Sequence, residues 1–289
     1  MLHPSTRKHT HMTSSFDWTS FTPTSMDLRD ELPDGQRWST WNDIPRTLSR
    51  GPQPWPDWVV TDWAAIDTDL GVVKTGKEAD VVLIERAVTD GPSCLMAAKR
   101  YRHLDHRLFH RDADYTTGRR TRRSRDARAM AAKSRYGRAV AAGEWATAEF
   151  NHLKLLWTHH VPVPYPVQIL GSEICMEWIG DADGSAAPRL ASLRPAPDEL
   201  ADLSRQLLDA MAAIADLGFA HGDLSPYNVL VHDSRAVIID IPQLVDLAAN
   251  PRGPEFLERD CRNVTSWFSA RGLACDADEW FADLIGRVW

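Results

Sequence analysis

Three polar residues close together in the chain constrain this sequence most. Asp223 stands in His221-Gly222-Asp223-Leu224-Ser225-Pro226-Tyr227-Asn228, and an apolar run beyond Asn228 ends at Asp240. Residues 229–232 and 236–240 read as two short strands around a turn at Asp233-Ser234. A hairpin of that length returns Asp240 beside Asn228. An Asp, an Asn and a second Asp gathered in this way suit phosphoryl transfer. One carboxylate receives the proton of the attacking hydroxyl, while the amide oxygen and the other carboxylate hold magnesium. Asp223 is therefore the candidate base, and Asn228 and Asp240 are the candidate metal ligands. His221 is read as a residue that orients the loop, because the Asp already supplies the base.

The chain reaches this loop along an amphipathic helix. Leu200, Leu203, Leu207, Met211, Ile214 and Leu217 recur at steps of three and four, and Gly218 stops the helix just before His221. Two further helices are expected at about 254–271 and 276–287.

Upstream, residues 69–101 read as strands. Gly71 and Gly76 bracket a turn in which Thr75, Gly76, Lys77 and Glu78 form a candidate phosphate loop, since glycines between strands let backbone N–H groups approach phosphates. It is not a Walker loop, because no Gly-Lys-Ser/Thr precedes a helix. Lys99 ends the next strand and is the candidate partner of the α- and β-phosphates. Such a Lys needs an acidic partner from a nearby helix. Glu149 fits, lying within the apolar stripe of a helix over 145–157, where an unpaired acid is costly. A hairpin through Gly171-Ser172 follows, and Met176, Glu177 and Ile179 lie where the chain would cross between two lobes and offer backbone groups to adenine.

The overall charge of −7 hides a segregation. Residues 100–138 hold 12 Arg, one Lys and four Asp, a local +9 that leaves −16 on the rest. The centre of that stretch, Arg119-Arg120-Thr121-Arg122-Arg123-Ser124-Arg125, is read either as a solvated loop or as a contact for phosphates, those of nucleic acid (RNA or the ribosome) or of nucleotide. Residues 1–50 show no sustained period and are expected to be a largely disordered or extended arm. Six of the 12 Trp fall in the first 63 residues, and they are expected to anchor the arm onto the folded body rather than to bind a partner. No apolar run reaches the roughly 20 residues that span a bilayer, and the N-terminus lacks the apolar core of a secretory signal. No membrane partner is expected on that ground, and Cys94, Cys175, Cys261 and Cys275, which form no CxxC pair, read as free thiols of a reducing cytoplasm.

Several segments together resemble the RIO family of atypical serine/threonine protein kinases, most like its first subfamily and bacterial members. Lys74-Thr75-Gly76-Lys77-Glu78-Ala79-Asp80-Val81 is similar to its phosphate loop, with Asp80 in place of the usual Asn. Ala98-Lys99-Arg100-Tyr101 is similar to its catalytic-lysine strand, and the helix from Trp145 places Glu149 at the ion-pair position. Cys175-Met176-Glu177-Trp178-Ile179-Gly180 resembles the hinge, Ile239-Asp240-Ile241-Pro242-Gln243 the metal loop, and Glu255-Phe256-Leu257-Glu258-Arg259-Asp260-Cys261-Arg262-Asn263-Val264 the C-terminal signature.

The resemblance implies an α+β, bilobal protein-kinase-like fold. It implies a small N-lobe with an antiparallel sheet and one helix over 51–176, then a hinge and a mainly helical C-lobe over 177–289, without an activation segment. It implies ATP and Mg²⁺ as cofactors, Asp223, Lys99 and Asp240 as catalytic residues, a protein substrate, and an aspartyl-phosphate intermediate on Asp240. A small-molecule kinase of the aminoglycoside or choline type shares the central motif, but not the loop at 74–81 or the segment at 255–264. An ATP-binding switch on a ribonucleoprotein partner is a third reading.

Overall fold

In the computed structural model, residues 32–102, 135–241 and 244–288 are described. Six strands form one antiparallel sheet in the order β1-β2-β3-β4-β6-β5. They are β1 Gln36–Trp38, β2 Ile66–Thr75, β3 Ala79–Ala87, β4 Ser93–Tyr101, β5 Pro166–Leu170 and β6 Glu173–Glu177. The register of β3 on β4 pairs Val81 with Lys99 and Val82 with Ala98. Because strand side chains alternate between faces, Val82, Ile84, Met96 and Ala98 share one face, while Val81, Ala97 and Lys99 share the other.

The first of these faces is covered by residues 39–65, which include the short helix α1 Arg46–Ser49. Trp41, Trp55 and Trp58 pack there with Ile84, Met96 and Tyr165. Trp41 and Trp55 meet edge to face at 5.0 Å, and the buried Arg50 guanidinium stacks 4.6 Å from the Trp41 ring. Gly51 N–H donates to Val167 O at 2.9 Å, and a Cβ on Gly51 would fall 2.1 Å from Pro166 O. The anchoring role expected for the tryptophans holds for these three, whereas Trp63 is 79% exposed. Residues 36–50, expected to be part of a disordered or extended arm, thus belong to the folded body. The apolar area that stabilises this segment belongs to the sheet, so its own sequence shows no period.

The other face is covered by α2 Arg135–Thr158. Ala142, Ala146 and Phe150 pack on Tyr101, Ile169 and Ile174. This helix starts ten residues before the expected 145, because its first turns carry few large apolar residues to mark a period.

Beyond β6 the chain is mainly helical, with α3 Pro197–Asp216, α4 Gly253–Ser269 and α5 Ala277–Ile285. Small pairings interrupt them: β7 Phe219–Ala220 with β10 Val245–Asp246, and β8 Val229–His232 with β9 Arg235–Ile238. The α3 stripe of Leu200, Leu203, Leu207, Met211 and Ile214 is buried in the C-lobe core, where α3 packs against α5, β7 and β9, and Gly218 (φ +83°) closes the helix. Between Asp240 and α4 there is room only for β10 and a turn, so no activation segment intervenes. The expected bilobal α+β fold is what forms.

These elements all belong to Gly35–Trp289, which is one unit by its contacts. The expectations for the first 31 residues and for the Arg119-to-Arg125 segment fall outside the described residues. No described helix is long and apolar enough to cross a membrane.

Candidate active site

The loop from His221 to Asn228 is held by the side chains of α4. Asp260 Oδ2 accepts from Gly222 N–H at 2.7 Å, and its Oδ1 accepts from Leu224 N–H at 2.8 Å. Arg259 donates to Gly222 O, and Asn263 Nδ2 donates to Leu224 O at 3.1 Å. The N–H and C=O groups of both neighbours of Asp223, Gly222 and Leu224, are therefore bonded by three residues within about one turn of α4. The exposed Asp223 carboxylate stands on a backbone that cannot easily turn. Asp260 itself is 1% exposed. Burial pushes its carboxyl up to about 7, against the pull of the Gly222 and Leu224 N–H groups and of Arg259.

His221 is buried, and burial lowers its pKa, so the ring stays neutral. Its Nδ1 accepts from Asp223 N–H at 3.3 Å, which is the orienting role expected. Asn228 Nδ2 donates to Asp223 O at 3.0 Å. Ile239 N–H donates to Asn228 O at 2.9 Å, so the hairpin does return Asp240 to Asn228. Asp240 has φ +62°, a region that residues with a Cβ seldom adopt.

Lys99 reaches from β4 to both lobes. Its Nζ donates to Glu149 Oε1 at 2.7 Å and to Asp240 Oδ1 at 2.8 Å. Burial works against the Lys99 charge, but Glu149 and Asp240 outweigh it and raise its pKa well above the usual value. Lys99 in turn lowers Asp240 to about 2. The expected Lys99–Glu149 pair is present, and Glu149 is 1% exposed within α2.

These residues line a cavity of about 760 Å³ between the lobes. Gly76, Lys77, Glu78, Lys99, Glu149, Met176, Glu177, Ile179 and Asp240 all face it. Thr75, Asp223 and Asn228 do not. Thr75 instead bonds Asp80, which also holds Arg102, so the residue that replaces the family's Asn fastens the phosphate loop. Gly76 N–H closes the loop onto Ala79 O at 2.9 Å.

The Glu177 side chain accepts from Tyr165 N–H at 3.0 Å, and burial raises its carboxyl. Glu177 N–H donates to Tyr165 O, and Ile179 O accepts from Ala187 N–H. Lys74, Arg189 and Tyr227 also line the cavity and were not singled out from sequence. Lys74 had a signal, since it lies one residue before Thr75, and its charge helps lower Asp240.

Among the described residues, no three His, Cys, Asp or Glu side chains gather into a metal cluster. One amide oxygen and one carboxylate suit Mg²⁺, which keeps water ligands and takes others from phosphates. The donor chemistry therefore fits the expected ion.

A sheet lobe that holds a Lys–Glu pair and a helical lobe, bridged by Lys99 and Asp240 beside the cavity, define a kinase-like phosphotransferase fold. A family model described as the RIO domain matches residues 96–280, and the chain belongs to that family. It is 32% identical over 222 residues to the RIO-type serine/threonine-protein kinase Rio1 of Haloferax volcanii, covering 76% of this chain and 70% of that protein. It is 30% identical over 213 residues to the serine/threonine-protein kinase RIO1 of Chaetomium thermophilum, covering 70% of this chain and 40% of that one. In fold it resembles the Rio2 kinase of Chaetomium thermophilum, solved as an ADP/Mg²⁺-phosphoaspartate complex. The TM-score is 0.52 at 20% identity, over 76% of this chain and 62% of that one.

Proposed function

We propose that this chain is an ATP-dependent serine/threonine protein kinase of the RIO type that uses Mg²⁺. The observation that carries the reading is Lys99, held between Glu149 and Asp240 on the wall of the inter-lobe cavity. Adenine lies against Met176 to Ile179, where the hinge offers backbone groups on the cavity wall. Lys74, Lys77 and the N–H groups of the phosphate loop take the phosphates. Lys99 exchanges Asp240 for the α- and β-phosphates while keeping Glu149. Asp223 takes the proton as the substrate hydroxyl attacks phosphorus. Asn228 and Asp240 would hold the Mg²⁺, which neutralises phosphate charge when bound.

Asp240 supports a second route at the same site. Its low pKa keeps it ionised, and the Rio2 complex with its phosphoaspartate has the same fold. An Asp240 oxygen attacks the γ-phosphorus, the bond to ADP breaks, and water later cleaves the acyl phosphate to release phosphate. The family match disfavours the small-molecule kinase. For the Arg119–Arg125 segment, the +9 charge of the surrounding residues 100–138 supports contact with RNA. Salt-insensitive RNA binding would overturn that proposal. Four free thiols fit a cytoplasmic setting.

Incubation with γ-labelled ATP and Mg²⁺ tests the reading. Wild type should label itself or release phosphate, and Asp223→Ala should lose transfer to hydroxyls. If wild type does neither, or if Asp223→Ala matches it, the protein-kinase reading fails.

A further inference from the structure

The two oxygens of Glu149 have different partners. Oε1 accepts from Lys99 Nζ, and Oε2 accepts from the hydroxyl of Tyr101. Tyr101 lies two residues after Lys99 on β4, so both side chains leave the same face of the strand. The Lys99 ammonium sits 5.3 Å from the Tyr101 ring centre. Tyr101 is itself fixed: its N–H donates to Ser172 O at 2.9 Å, and its ring packs with Ala142, Ala146 and Phe150 of α2.

A buried carboxylate bound at one oxygen can still swing about its last torsion. Bound at both, it has one orientation. We infer that Tyr101 is a positioning residue for the phosphate-binding lysine: through Oε2 of Glu149 it ties α2 to β4 and aims Oε1 at Lys99. The inference rests on the kinase reading, in which Lys99 leaves Asp240 when nucleotide arrives. Glu149 is then its remaining protein partner, and Tyr101 keeps that partner in place. Without the hydroxyl, Oε2 is a buried acceptor with no other donor among the described residues. It is satisfied only if α2 shifts towards water, which draws Glu149 off Lys99. Burial and the Glu149 charge raise the phenol well above its usual pKa, so it remains a donor at any working pH.

A residue that only fills the core would serve as well with a plain phenyl ring. Tyr101→Phe keeps the ring and removes the donor. Turnover of Mg–ATP should fall about tenfold in kcat, with KM for ATP changed less than threefold. In a Glu149→Gln background the same change should cost less than twofold, because Tyr101 acts through Glu149. p-Aminophenylalanine at position 101 restores a donor and should recover the rate to within threefold. That arm also decides the matter if Tyr101→Phe does not fold. The inference is overturned if Tyr101→Phe turns over like wild type, if its cost multiplies with that of Glu149→Gln, or if the amino variant folds but stays slow. A wild type with no turnover would instead remove the kinase reading, and this inference with it.

Discussion

Lys99 Nζ donates to Asp240 Oδ1 at 2.8 Å, a contact that crosses from the sheet lobe to the loop after β9. Nucleotide must compete for both residues, since the phosphates need the cation and the metal needs the carboxylate. The pair places the two groups where they will act, at a distance that one ligand can bridge.

Lys99→Met should lower kcat by about 10²- to 10³-fold, the usual loss when one preorganised charge is removed. It also leaves the buried Glu149 with only Tyr101 among these partners, at a cost of about 1–3 kcal/mol. Steady-state ATP turnover and the urea midpoint measure the two effects separately.

Asp240→Asn tests the covalent route. Hydroxylamine-sensitive label present in wild type should vanish in the variant, whereas acid-stable label on Ser or Thr would show transfer that bypasses Asp240. Filter-bound radioactivity after each treatment separates the outcomes.

Asp260 makes stability depend on pH. Its folded pKa of about 7 lies above an unfolded carboxylate near ~3.9, so the native state binds the proton more tightly. Its contribution is greatest below about pH 4, falls as pH rises towards about 7, and then levels. The groups acting on it are the Gly222 and Leu224 N–H, Arg259 and Asp223. Asp260→Asn should flatten that slope in urea midpoints between pH 4 and 8. It should also cost about 1–3 kcal/mol, because an amide offers one acceptor oxygen to two N–H donors.

Arg86 and Asp67 pair at 2.6 Å with side-chain exposures of 0% and 1%. Arg86→Met should destabilise by up to about 3–5 kcal/mol, since it leaves the buried carboxylate with Arg37, 3.7 Å away, as its remaining ion-pair partner among the described residues. Adding Asp67→Leu should recover much of the loss. Thermal unfolding of the single and double variants checks this.

A chain starting at residue 51 loses β1, Trp41 and Arg50, and uncovers Ile84 and Met96. It should unfold at lower urea than a chain starting at residue 35. Trp41→Ala alone should cost about 3–5 kcal/mol.

Much of the fold was legible because it is written in local periods. The α3 stripe, the β8–β9 hairpin and the strands from β2 to β6 each announce themselves within their own residues. The buried acid Glu149 was found because a carboxylate in an apolar stripe demands a partner. Asp260 carries the same signal, lying between Leu257 and Cys261 on the buried side of α4, yet its partners are backbone groups that no sequence pattern marks.

The sequence by itself determined the chemistry available here: Asp223, Asn228 and Asp240 at hairpin spacing, with a lysine and an acid upstream to serve phosphates. Spacing along a strand or a turn is a local property, so it survives in one dimension. Only the tertiary structure decided which oxygen of Glu149 meets Lys99 and which meets Tyr101, that α4 clamps the loop around Asp223, and that residues 39–65 close the back of the sheet. Those outcomes depend on groups 36 to over 100 residues apart competing for the same buried space. Burial, which makes an unpaired polar group costly, exists only once the chain has folded.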